Sequence, residues 1–164
     1  MFITFSMAVM RMSGAIGFNP LFGKSNFPVK IRAYFVFALA LLLYLCADQT
    51  QMAYPETMAE YILMLAGELF LGAVLAFAME LAFLTIRFAS SIMDYSMGLS
   101  MAQVYDPQYG TQSTVSSGIY YGFMVLLFFA SNSHLRLLAL FYQSVQLIPF
   151  GKVTFNPMLV HVIT

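Results

Sequence analysis

The sequence predicts an all-α integral-membrane protein. About five helices are arranged as hairpins, with one long, bent central helix at about residues 56–105. Three observations carry that reading. The 164-residue chain is 61% hydrophobic and 9% charged, with a mean hydropathy of +0.82, far outside the make-up of a soluble domain of this size. Its apolar residues come in blocks separated by turn residues and charges. The third block runs without proline from Glu56 to Asp106, the longest such stretch in the chain.

The first block, Met1 to Phe18, has no basic residue ahead of its hydrophobic stretch and carries Arg11 in its middle. That is a poor fit to a cleaved signal peptide, so the block reads as a retained membrane helix. "NPLFGKSNFP" follows, where Pro20, Gly23 and Pro28 preclude a continuous helix. The second block, Ala33 to Ala47, is uncharged but only 15 residues long, short for a lipid-facing span of about 20 residues. The third errs the other way. As one helix its 51 residues would extend roughly 76 Å, over twice the thickness of the hydrocarbon core, so it must bend, break or project out of the membrane. The fourth block, Gly118 to Ala130, is followed by "SNSHLR", and the fifth, Leu137 to Ile148, by Pro149 and Gly151; a sixth begins at Pro157.

Charge excludes one class of partner. Seven basic and seven acidic residues cancel, leaving no basic surface for nucleic acid. Between the first two blocks lie Lys24, Lys30 and Arg32 with no acid, whereas Asp48 to Glu60 holds acids and no base. The positive-inside rule makes the first loop cytoplasmic. Cys46 has no second cysteine to bond and reads as a small buried apolar residue.

Glu80, Arg87 and Asp94 stand seven residues apart in the third block. Seven residues are nearly two helical turns, so the three share one stripe of alternating sign, spaced about 10 Å. Too distant to pair along the helix, each needs a partner on a neighbouring element or water; structural pairing and the lining of an aqueous path both meet that need. Gly14, Gly17, Gly67, Gly72 and the Gly118-x-x-x-Gly122 pair remove bulk where helix backbones can approach, within the chain or with partners. Met93, Met97 and Met101 form an i, i+4, i+8 stripe, which suits core packing or a deformable seal around a variable object.

No pattern speaks for catalysis. His134 and His161 have no carboxylate nearby in sequence, and there is no Gly-x-Ser-x-Gly, His-Glu-x-x-His or glycine-rich phosphate loop. The protein is expected not to be an enzyme. Glu68 reads as a buried carboxylate in a structural hydrogen bond. The polar stretch "YDPQYGTQ" is a helix stop at Asp106-Pro107 and a turn at Gly110.

Taken in order, three segments resemble the FliR/SctT family of type III secretion export-gate proteins. The first holds Pro20, Phe22, Gly23, Pro28 and Arg32. The second runs from Met97, Gly98 and Ala102 into Asp106, Pro107 and Gly110. The third has Asn132, His134 and Leu135 ahead of a helix ending at Pro149 and Gly151. Ser133 stands where members often have glycine, and Asp94 stands at a shifted place for an acid common in their central helix. The match is nearer the flagellar form. The resemblance covers nearly all of residues 1–164 as a single domain, and implies that a further hydrophobic hairpin is missing at the C-terminus.

What the resemblance implies is a structural subunit of a protein-conducting pore for unfolded flagellar substrates. It implies a place in the bacterial inner membrane at the flagellar basal body, with lipid around it. FliP-like and FliQ-like subunits and FlhB-like and FlhA-like components are the implied partners. The loop carrying Asp106, Pro107, Gln108, Gly110 and Thr111 is implied to plug or gate the pore. A small-solute or ion-coupled transporter subunit, using Glu68 and the charge stripe, is the alternative.

Overall fold

A computed structural model describes residues 2–22, 28–46, 55, 57–99, 103–106 and 111–152. In chain order they form α1 (Phe2–Gly17), α2 (Val29–Cys46), α3 (Met58–Ser96), β1 (Gln103–Asp106), β2 (Thr111–Thr114), α4 (Val115–Ala130) and α5 (Ser133–Leu147). The described residues are all-α apart from the short β1–β2 ribbon.

Helix α1 is the centre of the packing, with α3 along one side and α2 along another. Met7 and Met12 of α1 meet Leu43 of α2, Phe141 and Val145 of α5, and Phe150 in one buried apolar cluster. Gly14 and Gly72 let α1 and α3 touch through their backbones. A Cβ at Gly14 would strike the Leu69 carbonyl oxygen, and one at Gly72 would strike that of Arg11. Gly17, Gly118 and Gly122 make no such approach; among the described residues, a Cβ there would meet nothing within 4 Å.

Local chemistry sets the helix ends. After α1, the buried Asn19 side chain accepts hydrogen bonds from the backbone N–H groups of Leu21 at 2.9 Å and Phe22 at 3.3 Å. This Asx turn costs nothing at Pro20, which has no N–H to satisfy. Pro28 precedes α2, and its carbonyl accepts from the N–H groups of Ile31 and Arg32, as expected of a proline at a helix start. Helix α3 opens with Thr57 in extended conformation, its hydroxyl accepting from the N–H of Glu60 at 3.3 Å. Thr-x-x-Glu is the spacing of a capping box.

The central helix ends at Ser96, not near residue 105. Gly98 takes the left-handed conformation, φ +74°, the usual glycine stop just beyond a helix. The chain then forms an antiparallel ribbon, pairing Gln103 with Thr114, Val104 with Ser113, Tyr105 with Gln112 and Asp106 with Thr111. Ladder bonds satisfy this backbone in place of helical ones.

Among the described residues, α2 and α3 are each long and apolar enough to cross a membrane, and α4 with α5 make a third candidate span, bent by 69°. Asn132 forms that elbow in the left-handed region at φ 56°, which asparagine tolerates better than most residues. Cys46, which reads from sequence as buried, is exposed at the end of α2.

Candidate functional site

Helix α3 buries one face along its length, through Glu68, Gly72, Ala76, Phe83, Ser90 and Asp94. Glu80 and Arg87 are half-buried on the same face. From Ala76 onward these inward positions alternate spacings of four and three, the seam of two helices packed side by side. The partner is α4. Phe83 sets its ring against Tyr121 at 5.6 Å and Phe128 at 6.4 Å, and the Arg87 guanidinium stands 6.0 Å from the centre of the Tyr121 ring. Asp94 is buried, and one of its oxygens accepts from the backbone N–H of Ser116 at 3.2 Å. A carboxylate of α3 thus sits at the positive N-terminal end of α4, where the helix dipole favours it.

Asp94 lies at the root of the hairpin. Asp106 and Thr111 form the last residue pair of the ribbon, while Pro107, Gln108 and Gly110 lie outside the described residues. Tyr105 is exposed on β1. Met93 and Met97 are exposed at 41% and 60%, so within this chain they do not pack the core; Met101 lies outside the described residues.

Around the α1–α2 turn, Pro20 is fully buried and Phe22 stacks at 5.1 Å on Phe35. Arg32 joins Ile16, Phe22, Ile31 and Phe35 in lining a cavity of about 110 Å³. Gly23 lies outside the described residues. In the α4–α5 turn, the His134 ring rests against Phe129 at 5.5 Å.

A second polar cluster is fully buried. Arg11 of α1 and Glu68 of α3, both inaccessible to solvent, form an ion pair. The same guanidinium donates to the carbonyls of Ser144 at 3.2 Å and Ile148 at 3.0 Å, and stands 4.8 Å from the centre of the Phe150 ring. The other Glu68 oxygen accepts from the N–H of Gly151 at 2.9 Å. Gly151 has φ +80°, so the turn after Pro149 presents its amide to the carboxylate in a conformation that favours glycine. The sequence singles out Arg11 and Glu68 separately but does not join them as a pair. A signal for the pairing exists, since each is the lone charge in an apolar helical stretch and a buried charge needs an opposite one.

Residues 2–164 match the model of bacterial export proteins, family 1. The chain belongs to this family. It is 31% identical over 148 residues to the flagellar biosynthetic protein FliR of Bacillus subtilis (strain 168), covering 90% of this chain and 56% of that protein. It is 33% identical over 89 residues to the protein of the same name from Escherichia coli (strain K12), covering 54% of this chain and 34% of that one. The chain spans about half the length of the curated relatives it matches most extensively. In this member of the bacterial export proteins, Glu68 and Asp94 mark two polar anchor points on one face of α3, about 39 Å apart along the helix.

Proposed function

We propose that this export-protein family member is a non-catalytic, structural subunit of the flagellar type III protein export gate. In this reading it forms part of the pore through which unfolded flagellar proteins pass, in the bacterial inner membrane at the basal body. FliP-like and FliQ-like subunits pack beside it, FlhB-like and FlhA-like components adjoin the gate, and lipid covers the remainder. The relatives' name, flagellar biosynthetic protein FliR, supports the flagellar assignment.

The observation that carries the proposal is the outward face of α3. Its 39 residues rise about 58 Å against a hydrocarbon core of about 30 Å. Leu63, Phe70, Phe77, Leu84, Phe88 and Ile92 are nevertheless exposed along the helix. Lipid covers only part of such a helix, and apolar surface of this extent calls for protein neighbours. In an assembly the β1–β2 hairpin, with Asp106, Pro107, Gln108, Gly110 and Thr111, is the element that closes the pore. Met93 and Met97, uncovered beside it, suit a deformable seal.

Co-expression with FliP-like and FliQ-like chains tests this reading. A stable complex that survives purification is expected, together with no small-solute flux by this chain alone in liposomes. Solute flux without partners would overturn the gate reading in favour of a transporter.

A further inference from the structure

We propose that Asp94 is a clasp that ties the end of α3 to the start of α4 and so fixes the base of the β1–β2 hairpin. It rests on the reading of that hairpin as the closure of a pore.

The two stems of the hairpin are the last turn of α3 and the first turn of α4. Asp94 stands in one and Ser116 in the other, 22 residues apart, and the bond from the Ser116 N–H to the Asp94 carboxylate spans the gap between them. The bond is unusual in its source. Thr114 occupies the N-cap position of α4 in extended conformation, φ −72° and ψ 153°, yet its side chain makes no capping bond. Threonine is among the residues that ordinarily cap their own helix. Here the local cap is replaced by a carboxylate from another helix, so the Ser116 N–H keeps this acceptor only while α3 stays beside α4.

Two further atoms point to the same place. Oδ1 of Asp94 and Oγ1 of Thr114 are both buried and make no hydrogen bond among the described residues, and the Thr114 hydroxyl adjoins the Asp94 carboxylate. Buried polar atoms left unpaired are costly and rare. A bond from the Thr114 hydroxyl to Asp94 would satisfy both atoms and add a second contact to the clasp. Thr114 is also the last residue of β2, paired with Gln103, so that second bond would grip the ribbon itself. Displacing the hairpin at its root pulls the Ser116 N–H away from the buried Asp94 carboxylate, and the cost of a buried acceptor without its donor opposes the motion.

The experiment uses the full chain in the assembled gate and compares Asp94→Ala with Asp94→Asn. Alanine removes the acceptor; asparagine keeps an oxygen for Ser116 and offers an N–H₂ to Thr114. With alanine, hydrogen exchange at the Ser116 and ribbon amides is expected to speed up about tenfold, the scale of a lost helix cap, and the gate to pass ions. With asparagine, wild-type exchange and a tight gate are expected. Unchanged exchange in the alanine variant overturns the clasp. Should the alanine variant not assemble, a leaky or unprotected asparagine gate overturns it instead. Deleting Gln108 to Thr111 separates this from the pore-closure reading. If that deletion leaks while Asp94→Ala stays tight and protected, the clasp fails and the closure stands. If the deletion does not leak, the closure fails, and exchange at Ser116 still decides the clasp.

Discussion

Arg11 and Glu68, 57 residues apart in sequence, form an ion pair with no solvent exposure on either side chain. Their remaining bonds reach Ser144, Ile148 and Gly151. One buried pair therefore joins α1, α3, α5 and the turn that follows α5.

Removing one member leaves the other charged and buried. Glu68→Leu alone, or Arg11→Met alone, is expected to cost about 3–5 kcal/mol, whereas the double variant should lose much less than the sum. Denaturant unfolding in detergent over the full double-mutant cycle measures the coupling; strictly additive losses would show that the pair does not act as one unit.

Gly72→Ala places a methyl group against the Arg11 carbonyl oxygen and the Ala15 nitrogen. Backbone cannot step aside as a side chain can, so a loss of about 1–3 kcal/mol or more is expected. Gly122→Ala meets nothing within 4 Å among the described residues and should leave the isolated chain within about 0.5 kcal/mol of wild type. Thermal unfolding of the two purified variants gives the comparison.

Arg87→Glu would set three carboxylates along one stripe, the new one lying between Glu80 and Asp94, and would lose the contact with the Tyr121 ring. If the stripe is structural, the variant is expected not to assemble with FliP-like and FliQ-like subunits, while Arg87→Lys retains assembly. Normal assembly of the glutamate variant with altered export would assign the stripe to the transport path.

Deleting Gln108 to Thr111 shortens the hairpin tip without touching the α3–α4 seam. Gates carrying the deletion should assemble in normal yield and leak ions across liposomes. Tight gates would remove the hairpin from the closure.

Much of the architecture is legible in the sequence because apolar blocks and their punctuation are local signals. Pro20, Pro28 and Pro149 each stand where a helix stops or starts. The end of α3 is not legible. "MGLSMAQVY" keeps helix-compatible residues as far as Asp106-Pro107. Only the left-handed conformation of Gly98 and the pairing of Gln103–Asp106 with Thr111–Thr114 settle the matter. Strands as short and polar as "QVYD" and "TQST" carry almost no period of their own. The small residues divide by tertiary context: Gly14 and Gly72 face a backbone, while Gly118 and Gly122, glycines alike, face nothing among the described residues.

The elbow at Asn132 has a mechanical meaning. Its 69° bend rests on one left-handed residue, with the Asn132 carbonyl accepting from the N–H groups of Leu135 and Arg136. Helix α4 begins at the hairpin root, and α5 ends where Arg11 holds Ser144 and Ile148. The α4–α5 unit is thus held at both ends by charges from other helices: an α3 carboxylate meets the Ser116 N–H at the hairpin root, and an α1 guanidinium meets the Ser144 and Ile148 carbonyls beyond the corner.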